Sequence, residues 1–114
     1  MAPIVPSLGD GSRPAVSVHL RIRVARGRGN DLRRFLREAI PFYESPGGIR
    51  VRLLGDTSAP DRFIEVIDYA SEQAYLADEE RVKSDATMAR YLARWRAILA
   101  EPPIVETYRD IDTA

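Results

Sequence analysis

Residues 16–24 read VSVHLRIRV. Val16, Val18, Leu20, Ile22 and Val24 fall on one side of an extended chain, and Ser17, His19, Arg21 and Arg23 on the other. Unbroken period-two alternation is the signature of a strand with one buried face. The segment RGRG at 26–29 then interrupts it. Asn30 is placed to cap a helix, with Asp31 in the first turn, where the helix dipole favours negative charge. Leu32, Phe35, Leu36, Ala39, Ile40 and Tyr43 follow at helical spacing and predict an amphipathic helix. Pro41 lies inside that stripe. A proline lacks the backbone donor and crowds the preceding turn, so the helix is expected to kink or end near Ile40.

Pro46, Gly47 and Gly48 make a turn signal. Ile49, Val51 and Leu53 opposite Arg50 and Arg52 predict a second strand, closed by a loop over 55–61. A third strand over 62–69 sets Phe63, Glu65, Ile67 and Tyr69 against Ile64, Val66 and Asp68. Both sides are partly apolar, which suits a central strand. Ser71 is a cap for a charged helical segment, with a break expected at Ser84 or Asp85. Met88, Tyr91, Leu92, Trp95, Ile98 and Leu99 form a second apolar stripe that ends before Pro102 and Pro103. Ile104 to Arg109 reads as a last strand.

The order β-α-β-β-α-β predicts an α+β, ferredoxin-like sandwich, a four-stranded antiparallel sheet with its helices on one face. Val16, Val18, Leu20, Ile22, Val24, Ile49, Val51 and Leu53 are expected beneath the helices. The opposite face is then expected to show His19, Arg21, Arg23, Arg50, Arg52 and Glu65 beside Phe63, Ile67 and Tyr69. Large apolar groups among charges suit a covered face, so a homodimer through this face is expected. In it Arg21, Arg50 or Arg52 would meet Glu65 or Glu106.

The chain has 114 residues, 45% of them hydrophobic and 30% charged, with formal net charge zero, which suits one globular domain. Residues 15–114 are assigned to that domain and 1–14 to an irregular arm, with Ile4, Val5 and Leu8 expected to dock. The neutral balance argues against a broad positive field for nucleic acid. Without cysteine there is no disulfide or thiolate ligand. No apolar run reaches the roughly 20 residues of a membrane span, and the first residues lack the pattern of a secretory leader. A cytoplasmic location is expected.

The strand HLRIRVARGRG (19–29), the segment FIEVIDYASEQAYLADEERV (63–82), the helix MARYLARWRAIL (88–99) and the final PPIVETYRD (102–110) together resemble the dimeric α/β-barrel superfamily. Within it they resemble the antibiotic-biosynthesis-monooxygenase-like and NIPSNAP-like groups. The resemblance spans Val16 to Asp110 and implies a pair of sheets closed into a dimeric barrel. It implies a range of activities, because the superfamily holds cofactor-free oxygenases, haem-degrading enzymes, polyketide cyclases and isomerases.

His19 is the single histidine and so a candidate for proton transfer. The resembled cyclases aim a first-strand histidine at the helix-side cavity, whereas alternation turns His19 away and marks it as an interface residue. The resembled haem-degrading enzymes carry an iron-ligating histidine on the second long helix, and no residue from Ser71 to Ala100 is histidine. Asp78, Glu79, Glu80 and Asp85 read as a solvated face, since a helix spreads them around its circumference. Gly27 and Gly29 open a helix after a strand, but Leu32 replaces the third glycine of a dinucleotide loop. A weak anion site aided by Arg26 and Arg28 is the stronger reading there. Ser17, His19, Arg21 and Arg23 offer no aromatic platform for RNA. No haem, flavin, nicotinamide or metal is expected.

What remains is the cleft between sheet and helices. Phe35, Tyr43, Met88, Tyr91 and Trp95 are the residues expected to line it, and the same stripes also read as plain core. Tyr43, Tyr91 and Trp95, with His19, are the candidate catalytic groups, three of them as hydrogen-bond donors. Two functions follow. One, implied by the resemblance, is a cofactor-independent monooxygenase or cyclase acting on an aromatic or polyketide-like compound. The other is a non-catalytic dimeric module that binds or senses a metabolite, favoured by the lack of an evident general base.

Overall fold

The computed structural model describes residues 13–113. The elements run β1 (Val16–Arg23), α1 (Gly29–Glu44), β2 (Ile49–Gly55), β3 (Arg62–Tyr69), α2 (Glu72–Ser84), α3 (Ala86–Ile98) and β4 (Ile104–Arg109). The strands form one antiparallel sheet in the order β2-β3-β1-β4. This is the expected ferredoxin-like arrangement, with the second helix broken into α2 and α3. The arm residues Ile4, Val5 and Leu8 lie outside the described residues. Among the described residues no helix is long and apolar enough to cross a membrane.

The alternating strand and the helical stripes meet as anticipated. Val16, Val18, Ile22, Ile49 and Val51 are buried with Leu32, Phe35, Leu36, Ala39, Met88, Trp95 and Ile98 in one cluster. Each large aliphatic removed from water there contributes roughly 1.5–3 kcal/mol. Ser71 caps α2 by accepting from the Ala74 amide at 3.1 Å. Asp85 ends α2 and caps α3, accepting from the Met88 amide at 2.8 Å. Asp85→Ala is therefore expected to cost about 1 kcal/mol, measurable as a lower urea midpoint. Gly47 and Gly48 both take positive φ, 84° and 71°, which explains why the turn into β2 carries two glycines.

Two local expectations are corrected. Asn30 is not the cap: α1 starts at Gly29 behind Arg28, which makes no side-chain cap bond. Asp31 is in the first turn as anticipated, where Arg28 and Arg34 pair with it. Arg28 also donates to the Ala97 carbonyl, so its guanidinium is engaged within the fold rather than open to an anion. Of the kink or end expected near Ile40, the end does not occur: α1 continues through Pro41 to Glu44. An interior proline costs about 3 kcal/mol or more. Burial of Tyr43 offsets about 1.5–3 kcal/mol of that. Arg81 adds charged hydrogen bonds to the Phe42 carbonyl at 3.1 Å and the Tyr43 carbonyl at 2.6 Å, each worth about 1.5–3 kcal/mol. Tertiary contacts thus outweigh the local penalty.

The third correction decides the site. In the register of β1 with β3, Val18 faces Ile67, Leu20 faces Glu65 and Ile22 faces Phe63. Residues directly opposite in an antiparallel pair project to the same side. Phe63, Glu65, Ile67 and Tyr69 therefore lie under the helices, not on the outer face with the arginines. The outer face instead carries Ile64, Val66 and Asp68 from β3, with His19, Arg21, Arg50 and Arg52. Asp68 is buried there, accepting from Ser17 Oγ at 2.7 Å and from Arg50 at 3.3 Å. Arg21 pairs with Glu106 of the same sheet at 3.4 Å. Glu65 thus takes no part in an arginine-rich face.

Candidate functional site

A cavity of about 440 Å³ lies between the sheet and the helices. Val18, Leu20, Val51 and Ile67 form its floor; Tyr43 of α1 and Met88, Leu92 and Trp95 of α3 form its walls. Val105 and Thr107 of β4 also line it, and Val105 is exposed, so the cavity opens along the β4 edge. A larger cleft, about 630 Å³, lies at the end of the sheet beside Arg21, Arg23 and Arg62. Arg23 is paired there with Glu101 at 3.2 Å, and the cleft lacks buried polar groups awaiting a partner. Convergent polar atoms in an apolar enclosure mark a ligand site better than size does, and the helix–sheet cavity has them.

Glu65 projects from the middle of β3 into this cavity and is 3% exposed. Its Oε1 has no hydrogen-bond partner. Removal from water disfavours the charged form and pushes the carboxyl up to about 7, while the neighbouring Trp95 indole opposes that rise. Trp95 is 6% exposed, and its Nε1 is likewise buried without a hydrogen-bond partner. The indole thus stands near the carboxyl while these two atoms remain without a hydrogen-bond partner. Most buried polar groups in folded proteins are satisfied, so two such atoms in one cavity call for an explanation.

Tyr43 and Tyr69 add two buried phenols to the lining. Burial first, and the Glu65 charge second, raise the Tyr43 phenol well above its usual range. Tyr69 is raised in the same way by burial and by its 2.5 Å hydrogen bond to Asp78. Both phenols remain protonated donors across the physiological range. Asp78 is buried, correcting the reading of a wholly solvated acidic face. It also accepts from Arg81 Nε at 3.0 Å. Arg81 thereby links α2, β3 and the end of α1, holding Tyr43 and Tyr69 in place from behind.

Of the residues expected to line the cleft, Tyr43, Met88 and Trp95 do so. Phe35 and Tyr91 do not. Phe35 is buried against Tyr91, ring centroids 6.2 Å apart, beneath the Arg94 guanidinium. Tyr91 stacks at 5.2 Å on Phe42 and supports Tyr43 from the side. His19 lies on the outer face, 5.0 Å from the Tyr108 ring, as alternation implied. Glu65 is the group that sequence reasoning missed as a site residue. Its signal was a lone carboxylate in the middle of an otherwise apolar strand side.

Fold and site together define a small ferredoxin-like protein with a largely apolar cavity between helices and sheet. The family description "antibiotic biosynthesis monooxygenase" matches residues 15–90, more than half of the chain, and the chain belongs to that family. Of the two groups named from the sequence, the match falls on this one. Similar solved structures include a protein from Bordetella bronchiseptica assigned as an antibiotic biosynthesis monooxygenase. It is 23% identical, covering 87% of this chain and 99% of that one, with a TM-score of 0.71. SnoaB, a cofactor-independent oxygenase from Streptomyces nogalater, is 13% identical, covering 86% and 94%, with a TM-score of 0.71. Rv0793 from Mycobacterium tuberculosis is 22% identical, covering 87% and 97%, with a TM-score of 0.67. At these identities the likeness is one of fold. No curated protein sequence matches.

Proposed function

We propose that this protein binds a small planar aromatic molecule in the helix–sheet cavity and oxygenates it without a cofactor. One observation carries the reading: an aromatic-walled, largely apolar cavity of about 440 Å³ with an ionisable carboxyl buried inside it. The volume falls within the usual range of small-ligand sites, roughly 300–1,000 Å³. SnoaB, which shares the fold, is a cofactor-independent oxygenase. In such chemistry an acidic substrate is first deprotonated and its electrons then pass to dioxygen. For an activated methylene, one oxygen atom becomes the new carbonyl and the other leaves as water with the two methylene hydrogens. The protein's share is to orient the ring and exclude bulk water.

The test is oxygen uptake with 1,8-dihydroxyanthrone as probe, read against the uncatalysed rate, with titration of the single tryptophan's emission alongside. Stoichiometric dioxygen consumption with quinone formation is expected, as is quenching of Trp95. Quenching without catalysed uptake would leave the non-catalytic binding module as the better description. A flat response in both would overturn the cavity reading altogether.

The same proposal includes a homodimer closed through the outer sheet face. Ile104 and Tyr108, on that face by register with Arg21 and Ser17, are 60% and 48% exposed. Exposed groups of that size beside Ile64 suit burial against a second copy. Sedimentation equilibrium at micromolar concentration is expected to show a dimer, and Ile104→Asp to shift it toward monomer. A wild-type monomer would rule this arrangement out.

A further inference from the structure

We infer that a single phenolic or enolic hydroxyl of the ligand bridges Glu65 and Trp95 in the cavity, and that Glu65 is the group that takes its proton. This rests on the proposed binding of an aromatic molecule in the cavity. Glu65 Oε1 is an acceptor and Trp95 Nε1–H a donor, both buried, both without a hydrogen-bond partner, side by side. A hydroxyl is the smallest group that is donor and acceptor at once. Its O–H points to Glu65 while its lone pair receives the indole N–H. A carboxylate ligand would set two anions together in an apolar enclosure, and an ammonium ligand would leave the indole N–H unsatisfied. A hydrocarbon would leave both atoms orphaned, each at the desolvation cost of a buried polar group.

The step is a proton transfer and nothing more. The ligand O–H bond breaks, a bond forms between that proton and Glu65 Oε1, and the electron pair stays on the ligand oxygen. The resulting oxyanion keeps the Trp95 N–H as its donor, a charge-assisted hydrogen bond stronger than the neutral one it replaces. The carboxyl suits this exchange because burial brings it near neutrality, where a general base works best. The other titratable or charged groups facing the cavity are Tyr43 from α1, Tyr69 from β3, Tyr75, Asp78, Glu79 and Lys83 from α2, and Arg96 from α3. Tyr43 and Tyr69 are held protonated, and Asp78 is occupied by Tyr69 and Arg81. Glu65 is left as the buried acceptor.

The experiment titrates wild type, Glu65→Gln and Trp95→Phe with 2-hydroxyanthraquinone and with 9,10-anthraquinone, which lacks the hydroxyl. It reads affinity and the visible absorption of the ionised hydroxyquinone between pH 6 and 8, with folding verified by near-ultraviolet circular dichroism. Wild type is expected to prefer the hydroxyquinone by about tenfold or more, a difference of one good hydrogen bond. It is also expected to hold it with a larger ionised fraction than free solution does. Glu65→Gln should lose both the preference for the hydroxyquinone over anthraquinone and the ionised band. Trp95→Phe should weaken the hydroxyquinone selectively. If Glu65→Gln binds the hydroxyquinone with wild-type affinity and spectrum, the inference is wrong while the cavity reading stands. If wild type binds neither quinone, both fall together.

Discussion

Glu65→Gln is expected to stabilise the protein near pH 8 and to leave it close to wild type below pH 5. The carboxyl is raised from its ordinary 4.5 to about 7 by burial. Between those two values the folded state holds a proton that the unfolded chain has released. The stability this proton confers is fully present below about pH 4.5 and is lost as pH rises through 7. The total loss is at most about 3 kcal/mol, because each tenfold change in proton affinity between the folded and unfolded states is worth about 1.36 kcal/mol. Glutamine carries no charge at any of these pH values, so the variant's curve lacks this slope. For a domain of this size the gap near pH 8 corresponds to a rise in Tm on the order of 10–20 °C. Thermal unfolding of both proteins from pH 4 to 9 measures it. Parallel curves would show that Glu65 is not the buried acid described. A stabilised variant that has lost function is the behaviour expected of a residue kept for its chemistry at the expense of the fold.

Trp95 sits at the boundary between core and cavity, and its two substitutions should separate those roles. Trp95→Ala is expected to cost about 3 kcal/mol, the low end of the range for a buried aromatic. Part of the indole already borders open space, so fewer contacts are lost than in solid core. Trp95→Phe keeps most of the packing and removes an N–H that has no hydrogen-bond partner in the free protein. It should cost little, about 1 kcal/mol or less, since an orphaned donor contributes nothing to stability. Urea unfolding followed by circular dichroism tests both, because neither variant retains the fluorophore. A loss above about 5 kcal/mol for the alanine variant would assign the residue to closed core.

The elements whose signal is local were legible before the fold. Alternation over residues 16–24 identifies β1, and the two apolar stripes identify α1 and α3. Ser71 announces its cap, the break at Ser84 or Asp85 was legible without a choice between the two, and the glycines at 47 and 48 announce the turn. Each pattern depends on residues within one or two turns of one another. Pro41 misled for the converse reason. Its penalty is local, while the Arg81 bonds and Tyr43 burial that offset it come from distant parts of the chain. Phe35 and Tyr91 misled because a stripe places side chains on the covered side of a helix but does not say which of them meet a neighbour and which meet a void.

The orientation of β3 was beyond the pattern altogether. Phe63, Glu65, Ile67 and Tyr69 compete with Ile64, Val66 and Asp68 for the inner face, and each set holds both apolar residues and a carboxylate. Sliding such a strand by one residue exchanges its two faces, so alternation alone cannot choose between them. From sequence alone came the ferredoxin-like order, the apolar side of β1 and the helical stripe that carries Trp95. The pairing of β1 with β3 and of β2 with β3, together with the packing of α1 and α3 across them, decided that Glu65 points inward. Only the closed sheet could bring that carboxyl beside the indole and away from water, because burial and proximity arise from contacts between elements far apart in the chain.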